Sequence, residues 1–285
     1  MTPQVTTGLD GSDESLAAAR WAAREAALRE VPLRLLHVEK WPNAPETPAS
    51  YARDLSERVG DLLRDASERA RREHPDLEVI TERARGRPAE ELTAAADEAD
   101  LTVLGSRGLG GARGFIVGSV SLAVVGAALR PVVLVRAERE ETAPAAGIVV
   151  GVELHHPCEP LLAFVFDEAA RRHAPLRFLS SWTLPAAYGY SGALDPGIGE
   201  GLESGVLAGL DELLAPWRKR YPGVAVTAGA VVGSAAYEMT EASRDAELVV
   251  VGRRGRRLPA GPHIGHVTHA VIHHSPAPVA VVFLG

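Results

Sequence analysis

Short apolar runs alternate with longer helical stretches along this chain, the pattern of parallel βαβ units. The pattern predicts a strand at Val5–Asp10, an alanine-rich helix from about Asp13 to Arg29, and a strand at Leu33–Val38. A charged helix follows from about Ala52 to Glu73, then a strand at Leu77–Ala84, a helix at Ala89–Glu98 and a strand at Leu101–Leu104. A glycine-rich loop leads to a helix at about Ser119–Leu129 and a last strand at Val132–Arg136. The first run is unusually polar for a strand. The same order of elements repeats from Ile148 to Phe283.

That repeat decides the architecture. Pro32-Leu33-Arg34-Leu35-Leu36 returns 143 residues later as Pro175-Leu176-Arg177-Phe178-Leu179. Gly86, ahead of Pro88-Ala89-Glu90-Glu91-Leu92, returns 147 residues later as Gly233, ahead of Ala235-Ala236-Tyr237-Glu238-Met239. The shift falls in the Gly/Pro-rich segment from Pro185 to Gly201. We therefore expect two α/β domains, at residues 1–137 and 148–285, joined by the acidic, alanine-rich linker 138–147. Right-handed crossovers make each an open, doubly wound parallel sheet with helices on both faces. Ligands of such sheets sit beyond the carboxyl ends of the strands, at the switch point.

A length of 285 residues suits two domains with real cores. The net charge of −7 argues against a broad nucleic-acid surface. The single cysteine, Cys158, permits no intrachain disulfide. The opening residues lack a secretory pattern, and no apolar run is long enough for a membrane span. A soluble, cytoplasmic protein is expected.

The chemistry concentrates in a glycine spacing that occurs twice. Gly105-Ser106-Arg107-Gly108, nine residues and Gly118-Ser119 follow one apolar run; Gly252-Arg253-Arg254-Gly255, nine residues and Gly265-His266 follow the other. A glycine-rich link between a buried strand and a helix start presents backbone N–H groups to phosphate. In the first copy Ser119 can cap its helix and donate a hydroxyl, and the N–H groups of Gly118, Ser119 and Val120 are expected to face an anion. Arg107 and Arg113 add positive charge, a solvated role being the commoner one for Arg113. The first strand ends in Gly8-Leu9-Asp10-Gly11-Ser12, whose glycines allow close approach to a ligand. Asp10 suits a ribose hydroxyl or phosphate-bound Mg²⁺, although an isolated Asp-Gly-Ser is more commonly a turn and helix cap. At Leu36-His37-Val38 the backbone is placed to read an adenine edge. Neither G-x-x-x-x-G-K-[ST] nor G-x-G-x-x-G after the first strand is present.

With these motifs the chain resembles the tandem form of the universal stress protein family. The glycine spacing resembles its ATP-binding pattern, Gly8 to Ser12 its first-strand signature, and Glu98 to Arg136 its typical domain ending. The resemblance implies strand order 3-2-1-4-5, with adenine nucleotide across strands one and four. It places Gly8 and Asp10 at the ribose or metal, and the Val38 backbone at adenine. Gly105, Ser106, Arg107, Gly108, Gly118, Ser119 and Val120 would hold ribose and phosphates. It further implies pairing of the two domains through Val132–Arg136 and Val279–Phe283, which hides two strand edges.

The second copy departs from the pattern. Glu153 stands for Asp10, Leu154 for Gly11 and His266 for Ser119, and the loop gains Pro259 and Pro262. Gly252, Gly255 and Gly265 remain, beside Arg253, Arg254, Arg256 and Arg257. These residues, with Glu153 and His266, form the weaker second candidate site. His266, His269 and His273 fall near one helix face, but exposed or capping histidines are commoner than a metal site there, and no metal is assigned. Cys158, near a helix start, invites a thiolate reading that a structural role outweighs.

No catalytic constellation is present, so at most slow ATP hydrolysis is expected. The expected function is that of an ATP-binding stress or dormancy regulator, acting through nucleotide-dependent conformation or partner binding, with Mg²⁺ an optional companion of ATP. A homodimer is compatible with the sequence. The alternatives are a nucleotide-independent interaction module and a weak ATPase.

Overall fold

The computed structural model of the chain describes residues 3–40, 49–107, 117–137, 147–154, 156, 158–182, 196–255 and 264–285. They divide into two compact units. The first contains β1 (Val5–Gly8), α1 (Asp13–Arg29), β2 (Leu33–Lys40), α2 (Ala49–Glu73), β3 (Val79–Gly86), α3 (Pro88–Glu98), β4 (Leu101–Gly105), α4 (Ser119–Ala127) and β5 (Val132–Val135). Its strands pair in parallel in the order β3-β2-β1-β4-β5. The second contains β6 (Ile148–Gly151), α5 (Glu159–Arg172), β7 (Leu176–Trp182), α6 (Pro196–Arg220), β8 (Val226–Val232), α7 (Ala235–Ala242), β9 (Leu248–Arg253), α8 (His266–His274) and β10 (Val279–Phe283). Its order, β8-β7-β6-β9-β10, is the same 3-2-1-4-5 arrangement.

Helix α1 spans the predicted residues, and its ends show why. Ser12 caps it by accepting a hydrogen bond from the Ser15 N–H at 3.2 Å, and Asp13 and Glu14 place negative charge against the positive helix end. Ala18, Ala22, Ala23 and Ala26 form a small-residue face fully sunk into the core. The helix stops at Glu30, which takes a left-handed conformation at φ 55°. Helix α5 ends the same way at His173, 143 residues on, but begins three residues later than α1 would predict, with Cys158 at its N-cap. The first turn that α1 makes with Asp13, Glu14 and Ser15 has no helical counterpart in the second unit.

The polar first strand proves to be deeply buried. Thr6, Thr7 and Thr102 are wholly enclosed, and their hydroxyls have no hydrogen-bond partner. Thr6 lies directly beside Thr102 on adjacent strands, where the second unit has Val149 beside Val249. An enclosed hydroxyl without a partner costs about 1–3 kcal/mol. Thr6→Val and Thr102→Val should therefore each be neutral or raise stability by about 1 kcal/mol. Urea unfolding checks this, and a loss of that size from either change would contradict it.

Gly8 was expected to make room for a ligand, but its neighbourhood explains it differently. A Cβ there would come within 3.0 Å of Leu92 and 3.1 Å of Leu104 side-chain carbons. The glycine lets α3 press onto β1, as Gly151 does under Met239. Gly11, at φ +88°, is required by the backbone of the turn itself.

Candidate functional site

In the first unit β1 and β4 are neighbours at the point where the strand order reverses, so their carboxyl ends open a crevice. Four segments meet there. The turn after β1 is fixed by Asp10, whose Oδ1 accepts from the Ser12 N–H at 3.0 Å and the Ser12 hydroxyl at 2.6 Å. Asp10 is thus part of an Asx turn that sets the start of α1, while its side chain remains at the surface. His37 ties this turn to β2: its Nδ1 lies 2.7 Å from the Leu9 carbonyl, and an oxygen that can only accept fixes the proton on Nδ1. Val38, next along β2, pairs in register with Ala84 of β3.

The end of β4 lies against the start of α1. A Cβ on Gly105 would fall 2.8 Å from the Glu14 carbonyl carbon and 2.9 Å from the Ser15 nitrogen, so only glycine fits. Arg107, one step beyond Ser106, forms an ion pair with Glu14 at 3.0 Å, both side chains being 14% exposed. Two bonds pin α4. The Ser121 hydroxyl donates to the Gly105 carbonyl at 2.7 Å, and the Gly118 N–H donates to the Ser106 carbonyl at 2.8 Å. The second bond corrects an expectation, because the Gly118 N–H is consumed within the protein. Ser119 likewise does not cap α4: Gly118 is the N-cap and Ser119 the first helical residue. The N–H groups of Ser119 and Val120 make no hydrogen bond among the described residues. Ser106 is 1% exposed and its hydroxyl has no partner. Gly108 and Arg113 lie outside the described residues.

The second unit keeps the frame and rewires its charges. The Thr268 hydroxyl donates to the Gly252 carbonyl at 2.9 Å, repeating the Ser121–Gly105 bond. Glu153, in the place of Asp10, is held by Arg254 at 2.7 Å and His156 at 3.0 Å. Arg254 matches Arg107, whose partner Glu14 is replaced by Pro157. The loop arginine therefore turns to the strand-end acid. Arg253, expected to add charge for an anion, is instead buried with its guanidinium 4.6 Å from the Phe283 ring centre. Its carbonyl accepts from the Leu284 N–H at 2.8 Å, because β9 and β10 pair one residue further than β4 and β5 do. A Cβ on Gly252 would meet Leu284 at 2.5 Å, one on Gly255 would meet Phe283 at 3.2 Å, and one on Gly265 would meet nothing within 4 Å among the described residues. His266 is the exposed first residue of α8.

Cys158 is buried, and loss of hydration pushes its thiol up despite the opposing pull of Arg254. Burial of this kind suits the structural role, which outweighs the thiolate reading. His269 and His273 stack with ring centres 4.3 Å apart, and no group of three His, Cys, Asp or Glu suited to a metal occurs among the described residues.

Sequence reasoning did not single out His37, Glu14 or Ser121 as site-building side chains. A histidine beside a strand end, an acid in the first turn of α1, and a hydroxyl two residues past Ser119 were the available signals.

The family model for universal stress proteins matches the chain twice, over residues 1–136 and 147–282. Two universal stress proteins of Mycobacterium tuberculosis are each 33% identical to it. Their alignments, over 288 and 291 residues, cover 97% of this chain and 96% and 95% of theirs. The crystal structure of a universal stress protein from Archaeoglobus fulgidus has the same fold, with a TM-score of 0.71 at 16% identity over 99% of this chain and 98% of that one. Two matched repeats, near-complete relatives and the 3-2-1-4-5 order within each unit agree: the chain belongs to the universal stress protein family, as a tandem member.

Proposed function

We propose that the first unit binds ATP and that nucleotide occupancy alters the conformation of the chain or its choice of partner in a stress or dormancy response. The observation that carries this reading is the Ser106 hydroxyl. It is enclosed and without a partner, and it follows directly on the strand end to which Ser121 pins α4. The N–H groups of Ser119 and Val120, unbonded among the described residues, open the same helix. Such groups suit phosphate or ribose oxygens, since the positive end of a helix adds to their pull on an anion. Asp10 would meet the ribose or a phosphate-bound Mg²⁺, and the backbone of Val38 the adenine. Gly105, Arg107, Gly108, Ser119 and Val120 would complete the cradle.

The second unit is an altered derivative, with Glu153 engaged by Arg254 and His156. Residues 138–147 link the two domains, whose apolar last strands are the edges through which they would pair. A cytoplasmic setting accords with a chain that has one cysteine. No helix among the described residues is long and apolar enough to cross a membrane.

Denaturing the purified protein and counting released nucleotide tests the reading. One adenine nucleotide per chain is expected. Two would overturn the assignment of the second unit. None, together with no calorimetric binding of ATP at about 1 mM, which half-fills a site as weak as about 4 kcal/mol, would favour an interaction module. Released ADP with steady phosphate production would point to an ATPase.

A further inference from the structure

Strand β8 lies at one end of its sheet, beside β7 only, among the described residues. Exposed strand edges offer unpaired backbone groups to other chains, and soluble proteins commonly blunt them with charge. The first unit does so at the matching strand. β3 carries Glu82, Arg83 and Arg85, followed by Arg87 and Glu90. In the second unit the corresponding positions, 147 residues on, are Gly229, Ala230, Val232, Ser234 and Tyr237. The whole of β8, V-T-A-G-A-V-V, has no charged residue. Val232 and Tyr237 are 58% and 63% exposed. One copy of the repeat keeps its protected edge and the other has lost every charge from it.

The backbone phase of β8 says how that edge can be used. The Leu176 N–H donates to the Ala225 carbonyl, and the Gly233 N–H donates to the Trp182 carbonyl. With the two-residue period of a strand, odd-numbered residues from 225 to 233 bond inward to β7. The N–H and C=O groups of Val226, Ala228, Ala230 and Val232 therefore turn outward. An antiparallel copy of the same strand, related by a two-fold axis at Gly229, sets Ala228 opposite Ala230 and Val226 opposite Val232. Those are the residues whose outward groups form the bonded pairs of an antiparallel ladder. No charge meets a like charge, small residues lie at the centre, and the contact is self-complementary, as a two-fold interface requires.

We propose that β8 is a homotypic docking edge, through which two copies of this chain pair antiparallel about Gly229. The uncharged edge favours a second copy over a charged peptide, and the pairing is independent of the nucleotide reading. A strand edge with one strongly exposed apolar side chain, Val232, is a small interface, so dissociation is expected in the micromolar range, ~8 kcal/mol.

Sedimentation velocity of the full chain from about 1 to 100 µM, a range that brackets such an affinity, tests this. A concentration-dependent monomer–dimer equilibrium is expected. Ala230→Pro removes an outward N–H and leaves the bonds to β7, a change that edge strands tolerate. Val232→Lys restores charge where the first unit has Arg85. Each should weaken dimerisation by at least about tenfold while the circular-dichroism melting curve stays in place. A wild-type chain that is monomeric throughout would overturn the proposal. So would a dimer that persists in both folded variants, since it would use another surface.

Discussion

Replacing Phe166 by alanine is expected to destabilise the second unit by about 3–5 kcal/mol, the range for truncating an enclosed aromatic ring. Phe166 has no exposed surface and sits at the centre of an aromatic cluster. Its ring centre lies 5.9 Å from Phe178, 5.5 Å from Trp217 and 5.4 Å from Tyr221. Tyr221 is anchored in turn, its hydroxyl donating to Asp167 at 2.5 Å, a bond that pushes the phenol up. Its protonated form is favoured in the fold, so this contribution is complete below the ordinary phenol range and is lost as alkaline pH rises through the folded value. The first unit has Ala23 in the place of Phe166 and Ala70 in the place of Trp217, so the two cores are filled differently. The loss should therefore fall on one unit. Urea unfolding followed by tryptophan fluorescence should show an earlier transition for the second unit, with the first keeping its midpoint. A loss below about 1 kcal/mol would mean that the cluster collapses around the gap, contrary to the packing described.

The second large effect concerns binding. Ser119→His writes the second unit's residue into the first, at an exposed position that supports no packing. ATP affinity should fall by about ten- to a hundredfold, ~1.4–2.8 kcal/mol, with little change in stability. The hydroxyl is lost, and an imidazole occupies the space at the first residue of α4. Calorimetric titration against wild type, with a melting curve for each protein, reads both quantities. Unchanged affinity would remove Ser119 from the site.

Much of the fold was legible because local and global signals agree. The cap at Ser12, the acids of the first turn and the alanine face set α1 to the residue. The strand order followed from the resemblance rather than from periodicity. The repeat also put Cys158 near a helix start, and it is the N-cap of α5. What the chain concealed was the rewiring of charge: with Pro157 in the place of Glu14, Arg254 pairs with Glu153 instead. Polarity also misled. Thr6 and Thr7 made the strand's extent hard to place, and β1 ends at Gly8 rather than Asp10; a threonine backbone suits a central strand even when its hydroxyl is stranded. The hydroxyl bonds to Gly105 and Gly252 join residues 16 positions apart in the chain and became visible only in space.

Those two bonds have a consequence for design. Ser121 holds the last carbonyl of β4, and Thr268 the penultimate carbonyl of β9, to the first turn of the following helix, so strand end and helix start are moored to each other. The nine residues between the motif glycines can then be treated as an interchangeable cassette. Its sequence, from the first repeat to the second, has diverged while the moorings have not. Loops grafted between Gly108 and Gly118 are therefore expected to leave β4 and α4 in place so long as Ser121 is retained.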